Sequence, residues 1–262
     1  MNRDVPVSFA LSEVLGALSY ALDITEGEPP GHAVRTLSIG MRIAEQLRLG
    51  DDVRSALFYA LLLKDAGCTA NASRLSSLFG ADDQPAKAAM KRVDWSRSGS
   101  LALYTWRAIE PGGSPLAKVR RMRAITQEDE VTREAIGMRC ERGAEIARML
   151  ELPEPTADAI RALDEHWDGS GHPQGLRGEE IPLVARICAI CDVFDALCSD
   201  RPYKEAWSMR SALDEIVAQR GRHFDPQVVD AFLVMVPTLG EDLLGDAAEH
   251  TPSTAPAALA QV

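Results

Sequence analysis

The chain has no apolar run approaching the roughly 18–20 residues needed to cross a bilayer, so no membrane span is expected. Its N-terminus, MNRDVPVSF, lacks the long apolar core of a secretory signal. Basic residues are in deficit: 28 Lys and Arg stand against 39 Asp and Glu, a net charge of −11. With no excess of cations to neutralise phosphates, DNA and RNA are excluded as main partners; a small nucleotide in a local basic pocket is not. Cysteine is scarce and odd in number. Five thiols scattered through helical segments fit a reduced, cytoplasmic protein rather than a disulfide framework. Cys188 and Cys191 form a CxxC with no second pair, and inside an apolar segment they read as small core residues. Strand-like alternation is missing, and so is an internal repeat.

What is present is helical. At 262 residues and 46% hydrophobic, the chain can bury a sizeable core. Phe9, Leu11, Val14, Leu15, Leu18 and Leu22 predict a first helix over about 8–23. TEGEPPG breaks it, and a second runs from His32 to Leu47. Asp51 and Asp52 are candidate caps for a third, reaching about Asp65. Residues 69–130 are more polar, with short helical pieces near 71–79, 84–92 and 100–108 and a PGGSP turn at 111–115. Further helices are predicted from about Arg133 to Leu150, Thr156 to Asp164, Ile181 to Leu197, Ala206 to Gln219 and Gln227 to Val236. The Gly- and Pro-rich stretch 168–182 reads as a long loop. The expectation is one all-α domain over 1–245, with 69–130 as a divergent insert-like part and 246–262 as a disordered tail.

Several segments carry candidate chemistry. GHAVRTLSIG places His32 at a helix start with Arg35 one turn on. LLLKDAGC ends an apolar helix on Lys64, Asp65, Gly67 and Cys68. RCERGAEIARML offers Arg139 and Cys140. LDEHWDGSGHPQGLRGEEIPL brings Leu163, Asp164, Glu165, His166, Trp167 and Asp168 before Gly171, His172 and Pro173. CDVFDAL holds Asp192 and, one turn later, Asp195. DRPYK adds Arg201 and Lys204, and GRHFDP follows at 221–226. Taken singly, most would be read as ordinary: a lone histidine as a core residue, Arg201 and Lys204 as solvated charges, GRHFDP as packing.

Together these segments resemble the HD-GYP family, bacterial metal-dependent phosphodiesterases that open cyclic di-GMP. The resemblance is strong over about 130–235, moderate over 8–68 and weak between. It implies an HD-domain helical bundle whose His and Asp side chains face divalent metals, which activate water and offset phosphate charge. On the family pattern, seven ligand positions are expected, and His32, Asp65 and Asp192 keep theirs. Lys64 and Arg139 stand where histidines belong, and neither charged side chain can ligate a metal. Leu163 and Asp164 replace a histidine pair. The loop reads GHP rather than GYP, so Gly171, His172 and Pro173, with Arg201 and Lys204, are the implied nucleotide contacts. The family's Lys after the Gly is Cys68 here.

The substitutions predict a site in which Lys64 and Arg139 act as fixed counter-ions to Asp65, Asp164 and Asp192. Removal of either cation is then expected to destabilise the fold markedly. No cofactor is expected in this reading; if there is one, it is a divalent iron or manganese. Two function classes stay open. One is a catalytically impaired regulator in bacterial signalling that binds a cyclic dinucleotide or a signalling protein, with homodimerisation through an apolar helix allowed. The other is a mononuclear phosphohydrolase using His32, Asp65, Asp192 and a fourth ligand from Asp164, Glu165, His166 or Cys140. No receiver, sensor or cyclase domain is read beside it.

Overall fold

The computed structural model describes residues 11–26, 28–68, 128–200 and 205–239. The short pieces read within 69–127, the tail after 245, and Arg201 and Lys204 lie outside the described residues. Eight α-helices are described: α1 Leu11–Glu26, α2 His32–Gln46, α3 Asp51–Leu63, α4 Glu128–Met149, α5 Glu154–Arg161, α6 Leu183–Cys198, α7 Met209–Ala218 and α8 Pro226–Met235. Short 3₁₀ turns cover Gly178–Glu180 and Val236–Thr238. Among the described residues there is no β-strand, only an isolated bridge between Arg220 and Phe224.

The helix ends refine the sequence reading. Asp51 and Asp52 do not cap α3; Gly50 occupies the N-cap, and the two aspartates sit in the first turn, where their charge favours the helix dipole. The sixth helix begins at Leu183 because Pro182 takes the N-cap, and Ile181 belongs to the preceding loop. Ala206 precedes α7, whose true start is set by Ser208, whose side chain accepts from the Ser211 N–H. Asp225 caps α8 by accepting from the Gln227 N–H at 2.8 Å, and its other oxygen accepts from Arg186 at 2.6 Å. GRHFDP therefore fastens α8 to α6.

Helix α6 is the centre of the bundle. Ile187, Cys188, Ile190, Cys191 and Phe194 are buried along it, and it packs against α2, α3, α5, α7 and α8. Phe194 meets Phe232 of α8 edge to face, with ring centroids 4.9 Å apart. The CxxC cysteines are thus core residues with free thiols. Helix α3 contributes Leu57, Leu61 and Leu63 to the same core and delivers Lys64 at its C-cap. Past that cap the chain must press onto α4: a Cβ on Gly67 would collide with the Arg139 carbonyl. That close approach sets the end of α3 beside Arg139.

Candidate functional site

Three helix ends converge: the start of α2 with His32 and Arg35, the end of α3 with Lys64 and Asp65, and the last turns of α6 with Asp192 and Asp195. Lys64 Nζ lies 2.7 Å from His32 Nε2 and 2.8 Å from Asp192 Oδ1, and it donates to Asp65. The three side chains of metal-ligating type in this cluster therefore all meet the lysine nitrogen. His32 Nδ1 donates to Asp195 Oδ2 at 2.7 Å, and its Nε2 stands 3.0 Å from Asp192 Oδ1. Arg35 holds Asp195 with two bonds, Nε to Oδ1 at 2.6 Å and Nη2 to Oδ2 at 3.0 Å.

The result is a row of alternating charge capacity: Arg35, Asp195, His32, Asp192, Lys64, Asp65. Burial opposes a charge on Lys64, yet Asp192 and Asp65 outweigh it and raise the ammonium above its ordinary value. Burial likewise opposes ionisation of Asp192, but Lys64 and His32 hold that carboxyl well below the usual range. For His32, burial and the Lys64 charge act downward and bonds to Asp192 and Asp195 act upward. With Nδ1 donating to Asp195, the 2.7 Å contact of the Lys64 ammonium uses Nε2 as its acceptor, the neutral imidazole. Lys64 is the enclosed member, with a side chain 3% exposed, while Asp192 is 45% exposed.

A second pair stands apart. Arg139 donates to Asp164, and the Cys140 thiol faces the same carboxylate at 3.3 Å. Burial and Asp164 push the Cys140 thiol up to about 12, so it faces Asp164 as a neutral donor. The Arg139 and Asp164 side chains are each about a third exposed, at 34% and 32%. That exposure revises the expectation for Arg139. Solvent screens the pair, so Arg139→Ala should lose only about 1 kcal/mol in chemical denaturation. A loss as large as that of a fully buried pair would contradict this arrangement.

The signature loop is organised from within. Glu165 accepts from the Gln174 N–H at 2.7 Å and from the Leu176 N–H at 2.9 Å, one bond per oxygen. The carboxylate, proposed from the sequence as a replacement ligand, is instead buried and spent on backbone donors. A Cβ on Gly171 would strike the backbone at Glu165 and His166, which is why the loop can fold back so tightly. The His172 N–H donates to the Asp164 carbonyl at 2.9 Å, the His172–Pro173 bond is cis, and Pro173 packs near Gly137 of α4. His166, another proposed replacement, stacks with His223, with ring centroids 4.0 Å apart, and meets Ser170 Oγ at 3.1 Å. Two charge-assisted bonds are worth about 3 kcal/mol together. Glu165→Ala should therefore speed exchange of the Gln174 and Leu176 amides well beyond ten-fold by hydrogen–deuterium exchange, an order-of-magnitude expectation from local opening. Unchanged protection would remove Glu165 as the loop's anchor.

One site residue escaped the sequence reading. Asp23 on α1 is buried; its Oδ1 accepts from the Ala33 N–H at 3.4 Å and its Oδ2 has no partner. Its signal was present: Leu15, Ser19 and Asp23 recur at i, i+4 and i+8, and all three are buried. Burial raises the carboxyl to about 6, against the pull of His32 and Lys64. The folded carboxyl keeps its proton to about pH 6 and the unfolded one only to its ordinary 3.8. Its contribution to folding is full below that lower value and is lost as pH rises through 6. Asp23→Asn should thus raise the melting temperature at pH 7, by about 2–3 kcal/mol in stability, with little change at pH 4. Equal gains at both pH values would refute the assignment.

The donor set does not fit a metal cluster. The point where His32, Asp65 and Asp192 meet is held by Nζ, and among the described residues no three His, Cys, Asp or Glu side chains are placed to share a metal ion. Comparison with known proteins places the chain in context. Residues 116–228 match the HD domain family. The 3'3'-cGAMP-specific phosphodiesterase 3 of Vibrio cholerae is 39% identical over 227 residues, which span 85% of this chain and 47% of that protein. The cyclic di-GMP phosphodiesterase response regulator RpfG of Xanthomonas campestris is 67% identical over 77 residues, 29% of this chain and 20% of that protein. A solved structure of the V. cholerae cyclic GMP-AMP specific phosphodiesterase superposes with a TM-score of 0.66 at 33% identity, covering 91% of this chain and 51% of the other. The chain thus spans about half the length of the relatives it matches over most of its own residues. Residues 116–228 thus resemble an HD domain, the described residues form an all-helical bundle, and the similar proteins are phosphodiesterases named for cyclic GMP-AMP and cyclic di-GMP.

Proposed function

We propose that this chain is a cyclic-dinucleotide receptor of the HD-GYP type that binds without hydrolysing. One observation carries the reading: the Lys64 ammonium meets His32, Asp65 and Asp192 at once, at 2.7 Å and 2.8 Å from the first and last, and so takes the position a metal ion would need. An ammonium supplies one fixed positive charge. It cannot bring a bound water to the phosphate or act as a Lewis acid. The names of the relatives support the ligand class. The loop is also held in one shape by Glu165, which binds the Gln174 and Leu176 N–H groups, with His172 at the tyrosine position of the HD-GYP motif that the segment resembles.

The mononuclear hydrolase reading has less support. Its proposed fourth ligands are engaged elsewhere: Glu165 by backbone, Cys140 as a neutral thiol and Asp164 by Arg139. Calorimetric titration with cyclic di-GMP and with 3'3'-cGAMP, beside their linear products, tests the proposal. Saturable binding of a cyclic dinucleotide with the ligand recovered intact is the expected result. No binding of either cyclic dinucleotide would overturn it.

A further inference from the structure

Behind the signature loop lies a cavity of about 290 Å³ that the Lys64 cluster does not use. His166, Asp168, Ser170, Glu215, Arg222 and His223 line it. Its floor is a stack of rings. His166 lies 4.0 Å from His223, and His223 lies 4.3 Å from Phe224 at an interplanar angle of 13°. Burial keeps both imidazoles below their ordinary value, His223 at about 4, so near neutral pH they form an uncharged aromatic surface. The walls carry opposite charges. Arg222 makes no side-chain hydrogen bond or ion pair among the described residues, although its charge reaches Asp168. Asp168 uses Oδ1 to accept from the Ser170 N–H, and Glu215 uses Oε1 to accept from Gln219. The Ser170 side chain also bonds the Asp168 carboxylate, while Glu215 keeps Oε2 for another donor.

We infer that this cavity is a subsite for one guanine-type base of the dinucleotide. This deepens the receptor reading and rests on it for the identity of the whole ligand. The volume is at the small end of ligand sites, roughly 300 Å³ and upward, and suits a base rather than a complete dinucleotide. A base extends the ring stack. The Arg222 fork matches two acceptors on one edge, the O6 and N7 of guanine, whereas adenine offers one acceptor and one donor there. The remaining oxygen of Glu215 suits an N–H of guanine's other edge. The cavity is also next to the charged cluster: Val193, which follows Asp192 on α6, forms part of its wall, and His223 feels the charges of Asp164 and Asp192.

The test uses the full chain and four probes: GMP, IMP, AMP and cyclic di-GMP, followed by NMR of the imidazole signals and by calorimetry. GMP and IMP should bind and shift the His166 and His223 signals, while AMP binds at least about ten-fold more weakly. Arg222→Ala should weaken GMP and cyclic di-GMP by about ten-fold or more, and Arg222→Lys, which keeps the charge but not the fork, should not restore them. Arg222 is exposed, so the variants are expected to melt like the parent, and a melt confirms it. Equal binding of GMP and AMP, unmoved histidine signals at saturation, or no GMP binding at millimolar concentration would overturn the subsite. Tight cyclic di-GMP binding indifferent to Arg222→Ala defeats the subsite and leaves the receptor reading standing. Arg222-dependent GMP binding without any cyclic dinucleotide binding does the reverse.

Discussion

Lys64→Ala is expected to lose about 3 kcal/mol of folding stability, the low end of the range for breaking a buried ion pair. The substitution leaves Asp65 and Asp192 facing each other with only His32 to balance them. Partial exposure of those carboxylates, 24% and 45%, keeps the loss from being larger. For a domain of this size, the melting temperature should fall by about 6–12 °C. Lys64→Met separates charge from packing. Methionine refills the space of the lysine stem but carries no cation, so it should fall nearly as far as alanine. A methionine variant as stable as the parent would show that the stem, and not the ammonium, matters.

The second large effect is on catalysis. Purified protein with added manganese or iron should convert cyclic di-GMP no faster than a protein-free control. Measured against an active relative, that is a deficit of about 10⁶ or more, the lower limit of ordinary enzymatic acceleration. Lys64→His alone should not restore turnover. Arg139 would still pair with Asp164, and Leu163 would still offer no ligand. Linear dinucleotide or GMP accumulating at enzyme-like rates with the parent protein would end the receptor reading.

Much of this was legible in the sequence, for physical reasons that differ by residue. Helices α2, α3 and α6 were readable because their apolar spacing is strong, and the segments at their ends carry distinctive residues. The pairing of Lys64 with Asp65 and Asp192 was expected from the resemblance, but its contact with His32 depends on helix ends brought together at separations no periodicity records. Glu165 looked like a spare ligand because a carboxylate's partners cannot be read from its position. The tight fold-back at Gly171 gives both its oxygens to backbone donors. Arg139 looked equivalent to Lys64, and only the depth of each pair separates them. Asp23 was hidden in a helix whose apolar residues drew attention away from it. The cavity formed by His166, Arg222 and His223 joins two segments more than fifty residues apart, held together by backbone bonds from Trp167 to His223 and from Asp168 to Arg222.

Anomalous diffraction from a crystal soaked in manganese is the most direct check on the Lys64 site. The expected map shows the lysine nitrogen in contact with His32, Asp65 and Asp192 and no anomalous peak among them. A manganese peak bonded by those three side chains, with Lys64 turned out to solvent, would contradict the account.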